Sequence, residues 1–234
     1  LKEIGDKAFS YQTSNTWISG KSQVLRYNLY SLTEITLPAS LEKIGDGTFP
    51  PLAFDIKLAD GNKNFVIDNG ILYNADKTVL IKAFNPTGDV TVPSTVTKIN
   101  SYAFYYQTSD VMGEVVWTSK YFQYSENPVK KDPSIGTLTI TSSVETIGEY
   151  GLALMLADTK TPYKDLNLPS KFSVNLGMQA FANNPLVKEM YVAADKEVNN
   201  KAFDGCKNID IAYILTDKID KQITNIPAKT LVLS

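Results

Sequence analysis

Short runs of alternating apolar residues recur along this chain. Such runs include Ile35 with Leu37 and Val90 with Val92, and an alternation of period two predicts a short strand with one buried face. A proline follows several of the runs, at Pro38, Pro93 and Pro169. Because proline lacks an N–H, we expect each of these prolines to mark the end of its strand.

The strand and its proline open a longer phrase that returns along the chain. Its form is apolar–Pro–x–Ser–apolar–x–x–Ile–Gly–x–x–Ala–Phe, clearest in LPASLEKIGDGTF (37–49) and VPSTVTKINSYAF (92–104). Looser copies occupy 1–9, 140–152, 168–181 and 192–203. One unit of this length cannot bury its own apolar face, so a recurring phrase predicts stacked repeats that share one core.

Two slots of the phrase carry structural expectations. Glycine fills the slot after the Ile in several copies, and we expect a positive φ or a close backbone approach there. Asparagine replaces it in two copies, as the second choice for a left-handed residue. The slot residues are Gly5, Gly45, Gly148, Gly177, Asn100 and Asn199. The Ala-Phe pair is expected on a short helical turn, with Phe9, Phe49, Phe104, Phe181 and Phe203 aligned in the core.

The phrase resembles the BspA-type leucine-rich repeats of bacterial surface proteins. Two further features agree with that family: Cys206 shortly after an Ala-Phe pair, and residues 64–82, which are similar to its linking module. The resemblance implies a leucine-rich-repeat solenoid, β-rich with short helical turns, in which stacked repeats carry an inserted antiparallel hairpin module. It also implies an extracellular or cell-surface location and a non-enzymatic role.

The expected organisation is a single elongated domain over 1–234. Repeat frames lie near 1–9, 32–49, 90–104, 138–152, 166–181 and 187–206. A linking hairpin module at 62–84 has an Asn-Gly turn at Asn69-Gly70 and is expected to form a flap on the solenoid. Irregular insertions are expected at 10–31 and 105–137, and a degenerate C-terminal cap at 209–234. The start inside a repeat suggests a trimmed or mature fragment.

The amino-acid composition excludes several classes of catalytic and binding site. The chain has no histidine, which removes Ser-His-Asp and Cys-His catalysis and the commonest metal ligand. With 23 basic and 25 acidic residues, the net charge of −2 gives no electrostatic case for nucleic acid. No apolar run reaches the roughly twenty residues that span a bilayer. The single Cys206 is expected to be a buried apolar residue. We therefore expect no enzyme activity, cofactor, metal or membrane insertion.

Aromatic residues crowd the second insertion and the turn before it. Trp117, Tyr121, Tyr124 and Tyr106 are the candidate ligand-binding residues, since Trp and Tyr offer a large contact area with a polar handle. The alternative is that these side chains anchor the insertion to the solenoid. The leading hypothesis is a monomeric adhesion module for a protein ligand, either a host matrix protein or a bacterial surface protein. The alternatives are a carbohydrate-binding or polysaccharide-utilisation accessory protein with a glycan as its partner, and a structural spacer domain of a larger surface protein.

Overall fold

The computed structural model describes residues 1–9, 12–18, 21–27, 33–51, 53–106, 114–117, 122–125, 133–154, 161–215 and 227–233. Strands and turns, without helices, make up the secondary structure of these ranges. The strands are β1 (Glu3–Ile4), β2 (Gln12–Ile18), β3 (Lys21–Tyr27), β4 (Glu34–Leu37), β5 (Lys43–Ile44), β6 (Asp55–Leu58), β7 (Phe65–Asp68), β8 (Ile71–Asn74), β9 (Val79–Ala83), β10 (Thr87–Thr91), β11 (Lys98–Ile99), β12 (Glu114–Trp117), β13 (Phe122–Ser125), β14 (Ser134–Thr139), β15 (Thr146–Ile147), β16 (Tyr163–Asn167), β17 (Asn175–Leu176), β18 (Glu189–Ala193), β19 (Ile209–Leu215) and β20 (Ala228–Leu233). No helix in this part of the chain is long and apolar enough to cross a membrane.

Parallel strands stack in two series, one long and one short. The longer strands pair as β4–β6, as β10–β14–β16 and as β18–β19–β20. The two-residue strands pair as β1–β5 and as β11–β15–β17, with β9 on the outer side of β11. Each repeat, which we call a coil, therefore adds one strand to each series. This arrangement confirms the predicted leucine-rich-repeat solenoid.

The Ala-Phe turns also stack, because each turn hydrogen-bonds to the next. The N–H of Phe104 donates to the carbonyl of Gly151 at 2.9 Å, and the N–H of Phe181 donates to the carbonyl of Ala202 at 2.8 Å. Equivalent bonds run from Phe9 to Thr48 and from Leu152 to Ala180. The ring centroids of Phe9 and Phe49 lie 6.3 Å apart, and those of Phe181 and Phe203 lie 5.4 Å apart. Leu152 fills the phenylalanine slot between Phe104 and Phe181 and is fully buried.

The linking module lies inside the stack of coils. The sequence had suggested a flap attached to the solenoid, and the structure does not show one. Strands β7, β8 and β9 form an antiparallel sheet, and β9 continues into the parallel short-strand series. Side chains of β8 and β9 alternate between two hydrophobic cores: Ile71 and Leu80 pack into one, and Leu72 and Ile81 into the other. The expected Asn-Gly turn is present, with positive φ at Asn69 and Gly70. Burial of both faces makes the module a partition between the two cores.

The predicted short helical turns are absent from the described residues. The Ala-Phe positions form single hydrogen-bonded turns, in which the N–H of Ala103 donates to the carbonyl of Asn100 at 3.3 Å. In five coils, the residue just before the Ala-Phe pair or its equivalent has a left-handed backbone conformation, which stops a right-handed helix from continuing. We call this position the left-handed slot; its members are Lys7 (φ 54°), Gly47 (φ 60°), Tyr102 (φ 61°), Tyr150 (φ 53°) and Gln179 (φ 54°).

The glycine slot of the phrase allows the backbones of adjacent coils to approach closely, and it does not require a positive φ. None of its glycines has a positive φ, and neither does Asn100. A Cβ on Gly148 would lie 2.5 Å from the backbone nitrogen of Ser101, and one on Gly177 would lie 2.7 Å from that of Glu149. Adjacent coils thus touch through their backbones at this slot, and a larger residue would push them apart.

The two insertions contain antiparallel strand pairs where irregular structure was expected. β2 pairs with β3 and β12 pairs with β13, so the backbone groups that face the partner strand are hydrogen-bonded. At the other end, β19 and β20 continue the long-strand series. The expectation of a single elongated domain stays a prediction.

Candidate interaction site

The stacked Ala-Phe turns form one face of the solenoid, which we call the turn face. Consecutive coils bring three tyrosines together on this face. Tyr102 and Tyr150 occupy left-handed slots of neighbouring coils, and the N–H of Tyr102 donates to the carbonyl of Glu149 at 2.8 Å. Tyr105 follows the Ala-Phe pair of the same turn as Tyr102. These residues, which we call the tyrosine cluster, are all partly exposed.

The rings of the tyrosine cluster contact one another. The Tyr102 and Tyr150 rings stack with centroids 5.2 Å apart and an interplanar angle of 22°. The Tyr105 ring lies 5.2 Å from that of Tyr150 and 5.8 Å from that of Tyr102, in tilted and edge-on arrangements. Aromatic pairs prefer these geometries, so the cluster forms a rigid surface with polar tips.

A carboxylate and an ammonium group border the tyrosine cluster. Glu149 accepts a hydrogen bond from the Tyr102 hydroxyl at 2.9 Å through Oε1, and Oε2 accepts one from Lys7 Nζ at 2.9 Å. Lys7 Nζ also lies 5.8 Å from the centroid of the Tyr102 ring. Burial, followed by the hydrogen bond to Glu149, raises the pKa of Tyr102, which is therefore neutral at physiological pH.

Large side chains occupy the left-handed slot at this surface, where a positive φ would favour glycine. A left-handed conformation costs an ordinary residue roughly 1–2 kcal/mol, and glycine avoids that cost. Only Gly47 among the five members of the slot is a glycine. The other four, which are Lys7, Tyr102, Tyr150 and Gln179, adopt the left-handed conformation in spite of its cost. The Tyr150 hydroxyl hydrogen-bonds to Gln179 Oε1, so the side chains of this slot interact along the solenoid. Backbone strain retained at large side chains suggests a role beyond turn formation.

A buried lysine supports the tyrosine cluster from below. Lys82 is 1% exposed, and its Nζ donates to the carbonyls of Tyr102 and Tyr105, at 2.9 Å each. The same nitrogen lies 4.7 Å from the centroid of the Tyr106 ring. Burial lowers the pKa of Lys82 to about 7. Lys82 thus fixes the backbone that carries two tyrosines of the cluster.

The structure places the sequence-predicted binding residues in different environments. Tyr106, predicted to bind a ligand, is only 3% exposed and its hydroxyl donates to the carbonyl of Ala83 at 2.7 Å, so it belongs to the core. Trp117 and Tyr124 lie in β12 and β13, where the register pairs Trp117 with Phe122 and Val115 with Tyr124. These four positions therefore share one side of the ribbon.

Tyr121 lies outside the described residues. Ligand binding by Trp117, Tyr121 and Tyr124 stays a prediction.

Sequence reasoning missed three members of this surface. Tyr150, Glu149 and Lys7 lie outside the aromatic-rich second insertion and the turn before it. The available signal was the shared position before the Ala-Phe pair or its equivalent, which Lys7, Tyr102 and Tyr150 all occupy. Among the described residues, no group of three or more Asp, Glu or Cys side chains is arranged to hold a metal ion.

Comparison with known proteins agrees with the repeat architecture. The BspA type leucine rich repeat region matches the sequence in six copies, over residues 1–50, 22–74 and 82–210. No protein with a curated description matches the sequence significantly.

Solved structures with the same fold include the pneumococcal vaccine antigen PcpA, which is 15% identical with a TM-score of 0.51. The alignment with PcpA covers 100% of this chain and 60% of PcpA. A leucine rich cell surface protein from Faecalibacterium prausnitzii A2-165 is also 15% identical, with a TM-score of 0.51, and the alignment covers 87% of this chain and 48% of that one. The chain thus spans about half to three-fifths of these structures. Because the repeat region matches most of its length, the chain belongs to the BspA-type leucine-rich repeat family.

Proposed function

We propose that this chain is a non-enzymatic interaction module, displayed outside the bacterial cell, that binds a protein ligand. The observation that carries the proposal is the tyrosine cluster, whose partly exposed rings are held rigidly beside a carboxylate and an ammonium group. Tyrosine is enriched among the residues that dominate binding energy at protein interfaces. The extracellular location is supported by the description of one structurally similar protein as a leucine rich cell surface protein.

The binding surface combines the tyrosine cluster with the ribbon of the second insertion. The chain enters that insertion directly after Tyr106, whose burial and hydrogen bond to Ala83 fix the point of departure. Trp117 and Tyr124 share one side of the ribbon. Tyrosine and tryptophan are enriched at protein interfaces, which favours a protein partner for these residues.

The experiment is a binding screen with matched variants. The purified chain is passed over immobilised host extracellular-matrix proteins and bacterial surface proteins, and binding is recorded by surface plasmon resonance. Tyr102→Ala/Tyr150→Ala should weaken binding to a positive partner by tenfold or more, as expected for hot-spot tyrosines. The control is Tyr191→Ala/Tyr213→Ala, which removes a stacked pair on β18 and β19 with centroids 4.5 Å apart. Equal losses in both variants would contradict the proposed surface.

A glycan ligand is the second candidate function, since exposed aromatic rings also stack on sugars. A glycan array with the wild type and Trp117→Ala separates the two candidates. Glycan binding that depends on Trp117, without any protein partner, would replace the leading proposal. If neither the protein screen nor the glycan array detects binding, a structural spacer within a longer surface protein would be favoured.

A further inference from the structure

We propose that Tyr102, Tyr150 and Glu149 form an acceptor site for a cationic side chain, and that the protein ligand presents a lysine or arginine to it. This inference deepens the proposed function and rests on it. The partner class is thereby narrowed to a protein with a basic segment at its contact surface.

The chain already places one of its own cations in this site. The ammonium of Lys7 lies 2.9 Å from Glu149 Oε2 and 5.8 Å from the centroid of the Tyr102 ring. An aromatic face attracts a cation through its quadrupole, and a carboxylate beside it balances the charge. Lys7 thus shows where an ammonium or guanidinium group from a partner would bind.

Glycine at position 47 allows the Lys7 and Tyr102 side chains to pack closely over this turn. A Cβ at Gly47 would lie 3.1 Å from Tyr102 Cδ2 and 3.5 Å from Lys7 Cγ, so these two side chains already fill the space above the glycine. Lys7 extends from there to Glu149, which is 142 residues away in the sequence. The site is reached from solvent through its partly exposed members, Tyr102, Tyr150 and Glu149.

The Lys7 contact is weak enough to be exchanged. The Lys7 side chain is 51% exposed and that of Glu149 is 22% exposed. Exposed ion pairs contribute little net stability, because water and salt screen them. A partner that buries the tyrosine cluster while it presents a cation would gain contact area that Lys7 does not supply, and would therefore displace it. A neutral sugar would leave the Glu149 carboxylate with Lys7.

Nuclear magnetic resonance can test the site with a single cation as the probe. The tyrosine ring signals of the chain are followed while N-acetyl-arginine amide is added, with N-acetyl-citrulline amide as the neutral analogue of the same shape. Lys7→Met empties the site but keeps an apolar stem. Lys43→Met is the control, because Lys43 forms an ion pair with Glu3 at 2.7 Å, more exposed than the Lys7 pair, and its loss changes the net charge equally.

Lys7→Met should bind the arginine probe about two- to fivefold more tightly than the wild type, the range expected from loss of one exposed ion pair. Lys43→Met should match the wild type, and the citrulline probe should shift none of the rings. Adding Glu149→Gln to Lys7→Met should abolish the gain, with unchanged circular dichroism confirming the fold. Equal arginine affinity in Lys7→Met and Lys43→Met would overturn the inference.

The failure of this inference can be told apart from the failure of the proposed function. The same two lysine variants are tested against any protein partner from the binding screen. A partner whose binding needs Tyr102 and Tyr150 but is unaffected by Lys7→Met and by salt would overturn the cation site and leave the interaction surface in place. Absence of any partner, together with arginine binding, would leave the site and remove the function.

Discussion

Replacement of Phe104 by alanine is the most informative perturbation of the core. Phe104 is fully buried, and its coil is hydrogen-bonded to the next through Gly151. A buried phenylalanine removes about 150–250 Å² from water. At about 25 cal/mol per Å² this corresponds to roughly 4–6 kcal/mol, of which the alanine keeps a part. The expected loss of unfolding free energy is therefore about 3–5 kcal/mol, the range known for Phe→Ala in cores.

Phe9 provides a matched control within the same chain. It occupies the same slot of the phrase but is 37% exposed and stacks only on Phe49 among the described rings. Because much less of its surface is buried, Phe9→Ala should cost no more than about 2 kcal/mol. Urea unfolding followed by circular dichroism measures both variants. A loss below about 1 kcal/mol for Phe104→Ala, or equal losses for the two, would refute the stacked core.

Three further predictions concern single positions. Gly148→Ala should cost roughly 1–3 kcal/mol in thermal or urea unfolding, since its Cβ would meet the backbone of the adjacent coil, whereas Gly5→Ala, with nothing within 4 Å, should be neutral. Lys82 has a folded pKa of about 7 against an ordinary 10.5, so unfolding takes up a proton between these values. The free energy of unfolding should then rise with pH above about 7, by up to roughly 1.4 kcal/mol per pH unit, and stay flat below it; a wild type without this slope, or a Lys82→Met that keeps it, would contradict the burial. Cys206 is buried with its pKa raised to about 11, so a thiol reagent at pH 8 should label it only after denaturant is added, and rapid native labelling would show that its coil is open.

The repeat architecture was predictable because each coil solves the same packing problem. The apolar alternation, the proline and the Ala-Phe pair recur at fixed spacing, and stacking converts that spacing into two strand series and a row of rings. The sequence interpretation nevertheless missed one member of the row. Phe84 is fully buried, with its ring centroid 4.9 Å from that of Phe49, and it ends an Ala-Phe pair within the linking module. The module's hairpin pattern concealed that signal.

The two glycine explanations could not be separated from the sequence, because close approach and positive φ both favour glycine. The structure assigns them to different slots. Gly148 approaches the backbone of Ser101, and the left-handed conformation falls two residues later, at Tyr150. A slot that holds lysine, tyrosine and glutamine gives no compositional sign of positive φ.

The candidate site was only half predictable for a related reason. Tyr102 and Tyr105 belong to the aromatic crowd that the sequence shows, and Cys206 is buried as predicted. Tyr150 and Lys7 join that crowd only through the order in which coils stack. Tyr106 is buried against Lys82, a charged residue within the linking module that no periodic pattern marks as part of the core.

The central claim is that neighbouring coils place Tyr102 and Tyr150 on one surface. A nuclear Overhauser spectrum of the tyrosine-labelled chain tests it directly, with ring signals assigned by Tyr102→Phe and Tyr150→Phe. Because the ring centroids lie 5.2 Å apart, the account predicts strong cross-peaks between these two rings, which lie on successive coils. A folded protein without those cross-peaks would contradict the stacking order, and with it the tyrosine cluster.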